Sequence, residues 1–279
     1  MKNIKLKISK YDVPILSRVL NYGINSSSKL LYNIDKINKK NIEWAKIDLL
    51  KKDVQYLAFI NSLTNCSYNQ YIKYLDDYKN DKKFKKNFSE KLGKLDNIKN
   101  ERHDDLRFHA ITLYLVVRHI KPNLFIETGV ASGKSSALVL LALHHNKKGK
   151  LISIDLPNII GSKMADGSST YIGNNETGWL IPNYLKKKWQ LIIGDSKKNL
   201  KIILKDKNNI PDIFLHDSLH TENHTTTELN MIYKSMKKGL ILCDNIEMGS
   251  GISFEKILKK NKKIGYCYKN FAGFIKDKK

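Results

Sequence analysis

The stretch FLHDSLHTENH, residues 214–224, gathers His216, Asp217, His220 and His224 into one short run. An imidazole titrates near neutral pH, so a histidine beside a carboxylate is suited to taking a proton from a hydroxyl. Of the four, His220 is the candidate base and Asp217 its acidic neighbour. His216 reads as a strand residue buried near the site, and His224 as a surface or packing residue of the following helix. A second group is Glu127, Gly129 and Gly133 in FIETGVASGKSS, where an apolar run ends in a glycine turn. A third is Asp244-Asn245, directly after the apolar GLILC.

The Gly-Lys-Ser at 133–135 raises the question of a phosphate-binding loop. That loop needs four residues between its glycines. Gly129 and Gly133 enclose only Val130, Ala131 and Ser132. Glu127 is a second objection, because a carboxylate about 4 Å from a phosphate charge costs on the order of 4 kcal/mol at a surface-like dielectric. The turn instead suits an amino-acid ligand: small residues let the backbone approach closely, the N-terminus of the helix that follows favours a carboxylate, and the acid Glu127 suits an ammonium group. A second acid at the next strand tip, Asp155, can accept the hydroxyls of a ribose. S-adenosylmethionine carries both an amino acid and a nucleoside, and it fits this combination.

These residues need a scaffold that brings them together. From about residue 103 onward, short apolar runs alternate with helical segments, the pattern of an α/β domain with a parallel sheet. A helix at LRFHAITLYLVVRHI leads into the strand NLFIET, and a helix follows from Lys134 to about His145. Further strands read KLISIDLP, WQLIIGD, PDIFLHD and GLILCDN, with a helix at 222–237 between the last two. The end, KKIGYCYKNFAGFIKD, reads as two strands joined by a tight turn around Lys269 to Phe271. The five runs before this hairpin end at Glu127, Asp155, Asp195, Asp217 and Asp244. Ligands of open α/β sheets bind outside the carboxyl ends of the strands, where these acids would meet. Asp217 and Asp244-Asn245, on adjacent tips, would offer two carboxylates and an amide oxygen, a set suited to Mg²⁺ or another hard divalent ion. The polar loop ADGSSTYIGNNETGW, 165–179, is long enough to cover an acceptor.

The segment from about 103 to 276 resembles a class I S-adenosylmethionine-dependent methyltransferase. The resemblance rests on FIETGVASGKSS, ISIDLP, GWLIPNYLKKKWQLIIGDS, PDIFLHDSLHTENH and KKGLILCDNI. Its nearest branch is the bacterial group of sugar, macrolide and other small-molecule O-methyltransferases. The resemblance implies a Rossmann-like, seven-stranded, mostly parallel sheet with a C-terminal antiparallel hairpin. It also implies that Glu127, Gly129 and Gly133 line the methionine side of the cofactor. Asp155 would then hold the ribose, with Asp195 and Ser196 near the adenine. Catechol-type and some sugar O-methyltransferases hold a metal with an Asp…Asp-Asn set, matched here by Asp217, Asp244 and Asn245. In the branch with the nearest HDSLH text, two acids rather than Asp-Asn follow the fifth strand.

Residues 1–100 carry helical spacing and little strand character, followed by the methyltransferase-like region 101–279. IEWAKIDLLKKDVQYLAFINSL puts Ile42, Ala45, Leu49, Val54, Leu57 and Ile60 near one face. Residues 79–100 are strongly charged and read as a solvated helix and linker. The chain has 279 residues and a net charge of +23. That surplus is spread along the chain and is nearly all lysine, with arginine only at Arg18, Arg102, Arg107 and Arg118. Readers of phosphates and bases favour the planar guanidinium, so nucleic acid is the less favoured partner. The start is charged and the longest apolar run, Ala137 to Leu143, is too short to span a bilayer. Cys66, Cys243 and Cys267 lie far apart, which suits a reducing compartment, and a cytoplasmic location is expected. The leading expectation is an O-methyltransferase acting on a hydroxyl of a small molecule or sugar. An RNA methyltransferase and a non-catalytic binding protein of the same fold are the alternatives, and a homo-oligomer is compatible with the sequence.

Overall fold

Continuous apolar runs let the central strands bury both of their faces. In the computed structural model, which describes residues 51–92 and 108–277, these runs form β1 (Leu124–Thr128), β2 (Lys150–Asp155), β3 (Trp189–Ile193), β4 (Ile213–His216) and β5 (Gly239–Cys243). All five are parallel. The hairpin β6 (Gly265–Tyr268) and β7 (Phe271–Lys276) closes the sheet, with β7 antiparallel to β5. The order is β3-β2-β1-β4-β5-β7-β6, a seven-stranded Rossmann-like sheet. The chain winds outward from β1 in one direction and from β4 in the other. The crevice between β1 and β4 is therefore the topological switch point, where α/β sheets bind ligands.

One sheet face, carrying Phe125, Leu151, Ile213, Leu215, Leu240 and Leu242, packs on α1 (Val54–Thr64), α2 (Tyr68–Asn80), α3 (Lys82–Leu92), α4 (Phe108–Ile120) and α5 (Lys134–His145). The other face, with Ile126, Ile152, Ile154, Phe214 and Ile241, packs on α6 (Ser196–Ile203), α7 (Glu222–Ser235) and α8 (Gly249–Asn261). Every residue of α5 from Ser136 to Leu143 is buried, which explains why its apolar run shows no amphipathic period. Burying each such leucine or valine contributes about 1.5–3 kcal/mol. The helices α6 and α8 are not evident in the sequence, because α6 is only eight residues long and α8 opens on Gly-Ser-Gly.

The N-terminal helices differ in detail from the sequence reading. A helix does not run through from Ile42: Asp53 accepts a hydrogen bond from the Tyr56 N–H at 2.9 Å and caps α1 at Val54. The buried face is Tyr56, Phe59, Ile60 and Leu63, while Val54 is 76% exposed. Ile42, Ala45 and Leu49 lie outside the described residues, as do 93–100 of the charged stretch. Of that stretch, α3 is more than a solvated helix, since Phe84 and Phe88 are buried with ring centroids 5.1 Å apart. Tyr268 of the hairpin donates to Asp53 at 2.6 Å, and Tyr56 pairs with Thr112 at 2.7 Å, which anchors α1 to β6 and α4. No described helix is long and apolar enough to cross a membrane. The three cysteines are buried and unpaired with one another.

Candidate functional site

Above the carboxyl ends of β1, β2 and β4 lies a cavity of about 410 Å³, within the usual range for a small-molecule site. Its wall is built from four strand tips in turn. The loop Gly129–Ser132 follows β1, Asp155 and Leu156 end β2, Asp195 to Lys197 follow β3, and Asp217 to His220 follow β4. Met164 and Ser168 to Thr170 of the long polar loop close over them, and His109 of α4 and His224 of α7 complete the lining.

The glycine loop is shaped by the protein itself. Gly129 has φ +89°, and a Cβ there would lie 1.9 Å from the Asp217 carbonyl oxygen. The cause is register: Thr128 pairs with His216, so the next residues of β1 and β4 abut, and Asp217 N–H donates to Thr128 O at 2.9 Å. Gly133 has φ +85° and packs on Gly178 and Ile181, outside the cavity wall. Asp155 supports the loop from the β2 side. Its Oδ2 accepts from the N–H groups of Val130 and Ala131 at 3.0 and 2.7 Å, and its Oδ1 from Leu156 at 2.8 Å. A carboxylate offers about four acceptor positions, so one remains for a ligand hydroxyl.

Glu127 does not face the cavity, which corrects the sequence expectation of a carboxylate greeting an ammonium. It sits inside β1, fully buried, where its Oε1 accepts from Ser136 at 2.5 Å and Ser153 at 2.6 Å. Burial pushes its pKa up to about 8, so the group is mostly neutral at pH 7. Asp195 is the N-cap of α6, accepting from Lys198 N–H at 2.8 Å, and it also lines the cavity. Ser196 donates to Glu228 and lies 3.1 Å from His224 Nε2.

Behind the wall, Glu228 of α7 is the centre of a buried polar network. It meets His216 Nδ1 at 2.7 Å, His224 Nε2 at 2.9 Å and the Thr128 hydroxyl at 2.7 Å. Burial alone would raise its pKa, but the hydrogen bonds and charge of His216 and His224 hold it far below the usual carboxylate range. His216 is thus a fixed core residue, its Nε2 satisfied by Thr225 at 2.9 Å. His224 is a cavity residue and not a surface one. The spacing His224 to Glu228, one helical turn, was the readable signal.

On the acceptor side, His220 Nε2 lies 3.7 Å from Asp217 Oδ1, and His220 Nδ1 lies 3.4 Å from Asp166 Oδ2. Asp166, which no sequence argument singled out, has a side chain only 1% exposed and also accepts the His220 backbone N–H at 2.9 Å. Burial lowers the proton affinity of His220, but Asp217, Asp244 and Asp166 together raise it above that of an ordinary histidine. Asp217 does not cap α7. Burial pushes its pKa up, and the imidazoles of His220 and His109 more than reverse this, leaving it ionised. Asp244 is pushed the other way, by burial first and by the charge of Asp217 second. Its two carboxylate oxygens are buried and have no hydrogen-bond partner among the described residues. A bound cation would satisfy such a group, so the residues present fit a divalent ion. Asn245 has φ +51°, and its amide donates to Glu247 at 2.9 Å.

A family model described as a methyltransferase domain matches residues 126–246. No curated protein matches the chain. Among solved structures, an O-methyltransferase from Bacillus cereus in complex with SAH is 16% identical, with a TM-score of 0.50, covering 68% of this chain and 89% of that one. The cofactor-bound Rv0187 from MTB is 11% identical, also with a TM-score of 0.50, covering 70% of this chain and 91% of that one. With the strand order β3-β2-β1-β4-β5-β7-β6, these likenesses show that the chain has the class I S-adenosylmethionine-dependent methyltransferase fold.

Proposed function

We propose that this protein is an S-adenosylmethionine-dependent O-methyltransferase that acts on a hydroxyl of a small molecule or sugar. The observation that carries the reading is that one cavity joins two kinds of surface. On one side lie the glycine loop, Asp155, Asp195 and Ser196, which suit an adenosyl amino acid. On the other lie His220, Asp217 and the hydroxyl-bearing Ser168 to Thr170, which suit a hydroxylated acceptor. Solved relatives of the same fold bound to SAH or cofactor are consistent with it.

When bound, S-adenosylmethionine supplies a methyl group on a positively charged sulfur. The protein's part is positioning and proton transfer. The Gly129–Ser132 loop and the start of α5 receive the amino-acid end, and Asp155 has an acceptor position left for a ribose hydroxyl. Asp195 and Ser196 lie where the adenine would rest. His220 Nε2, buried and without a hydrogen-bond partner among the described residues, accepts the acceptor's proton. Asp217 and Asp166 then stabilise the imidazolium. Holding the acceptor oxygen in line is worth about 7–11 kcal/mol of barrier, and base catalysis about 10²–10⁴ in rate. Asp217 and Asp244 would hold a divalent ion, which when bound orients and polarises an acceptor oxygen.

Isothermal titration with S-adenosylhomocysteine tests the cofactor half of this reading. One equivalent should bind, and folded protein that binds none at high micromolar ligand would overturn it. With an acceptor found by screening hydroxylated small molecules and sugars, His220→Ala should keep that affinity and lose about 10²–10⁴ in kcat. Unchanged turnover would remove His220 as the base.

A further inference from the structure

The register that makes β1 and β4 abut also pairs His216 with Cys243, so the residues following them, Asp217 and Asp244, stand side by side. Into the same space comes His109, near the start of α4. Its ring is held in place, stacked on Phe271 with an interplanar angle of 15° and with Nε2 3.0 Å from Ser135 Oγ. One ligand atom from each of His109, Asp217 and Asp244 lies within 4.8 Å of the others. Two donors on opposite sides of a metal are about 4–4.4 Å apart at ordinary bond lengths, so small side-chain rotations close the set.

Two carboxylates about 4 Å apart repel by on the order of 4 kcal/mol at an effective dielectric of 20. Here Asp244 is 1% exposed and neither of its oxygens has a hydrogen-bond partner among the described residues. Protonation of Asp244, which could then donate to Asp217, answers the repulsion. A divalent ion answers it too, and gives the buried oxygens of both acids a partner. Asn245, the third oxygen donor expected from sequence, has its amide drawn to the exposed Glu247, while His109 faces the two acids.

We propose that His109, Asp217 and Asp244 form a three-ligand centre for a borderline divalent transition ion, Mn²⁺, Fe²⁺, Co²⁺ or Zn²⁺, in preference to Mg²⁺. The nitrogen donor decides the class. Imidazole suits transition ions, whereas Mg²⁺ demands oxygen donors and gives up its water reluctantly. The helix preceding the sheet thereby becomes part of the active centre. Ion binding here is independent of the methyltransferase reading: a chain that bound Mn²⁺ but no S-adenosylhomocysteine would keep this centre and lose that reading.

The test uses the full chain after chelation and dialysis, titrated calorimetrically with Mn²⁺ and separately with Mg²⁺, with electron paramagnetic resonance counting bound Mn²⁺. One Mn²⁺ per chain is expected, bound at least tenfold more tightly than Mg²⁺. His109→Gln should cost at least tenfold in Mn²⁺ affinity while narrowing the preference, and Asp244→Asn should abolish binding. Pulsed resonance on the Mn²⁺-loaded wild-type chain should show coupling to a directly bound imidazole nitrogen, a readout that needs no variant to fold. Absence of Mn²⁺ binding, Mg²⁺ binding as tight as Mn²⁺, no nitrogen coupling, or a folded His109→Gln chain with wild-type affinity would each overturn the proposal.

Discussion

Replacing Glu127 with glutamine isolates what the buried carboxyl does beneath the glycine loop. Its ordinary pKa of 4.5 rises to about 8 in the folded chain, chiefly because burial disfavours the charge. Below pH 4.5 the group is protonated in both states and stability does not depend on it. Between pH 4.5 and 8 the unfolded chain gives up this proton and the folded chain keeps it. The folded state therefore binds more protons, and stability falls as pH rises, by about 1.4 kcal/mol per unit. Above pH 8 both states are ionised and the slope vanishes. At pH 7 the accumulated loss is about 3 kcal/mol. Glutamine copies the neutral carboxyl: its carbonyl can accept from Ser136 and Ser153 as Oε1 does, and it has no proton to lose. Urea unfolding of both proteins at pH 5 and pH 7.5 should show Glu127→Gln gaining stability relative to wild type at the higher pH by about 2–4 kcal/mol. Other titrating groups cancel in the difference, because they are common to both chains. An equal stability difference at the two pH values would refute the buried, neutral assignment. Affinity for S-adenosylhomocysteine that disappears in Glu127→Gln would restore the carboxylate as an ammonium ligand.

Two other substitutions probe the wall of the cavity. Gly129→Ala forces a Cβ against the Asp217 carbonyl in a backbone conformation that side chains resist; a loss of about 2–5 kcal/mol, roughly 10 °C in Tm, is expected, and an unchanged melting temperature would show that the tips of β1 and β4 do not meet as described. Asp166→Ala removes the loop's grip on His220; kcat/KM should fall about 10²-fold with S-adenosylhomocysteine affinity intact, and equal kinetics would separate that loop from the base.

The sheet was legible because its signal is local and repeated. Each of the five parallel strands is a run rich in branched or large apolar residues, and for the central β1, β4 and β5 burial on two faces leaves little room for another reading. The acids at the ends of those runs were legible for the same reason, since a strand must stop where its side chains leave the core. Sequence order could not say which way such an acid points. Glu127 is one residue short of the strand's end, and in a structure of period two that turns it into the core between Ser136 and Ser153, while Asp155 remains at the cavity wall. The glycines were correctly placed at a turn, but the close approach they permit is to the backbone of Asp217 and to Gly178, two contacts that arise only once β4 and the long loop have packed.

Two of the residues that escaped sequence reasoning, His109 and Asp166, share a different cause: each belongs to an element distant in sequence from the motif it serves. His109 sits in an apolar helix that looks like plain core packing, and only the crossing of α4 over the sheet brings it to Asp217 and Asp244. Asp166 lies in a loop whose composition marks a turn and nothing more, until its carboxylate is found holding the His220 backbone. Glu228 had a signal, the one-turn spacing to His224, but that spacing also describes countless surface pairs. Each of these acts on a group that the sequence did identify: His109 on the paired acids, Asp166 on the base, Glu228 on the serine and histidine of the adenine side. Motif residues at strand tips define which chemistry the fold can host. Residues such as His109 and Asp166, which fix their orientation, come from wherever the chain happens to cross, so they follow from topology and not from spacing.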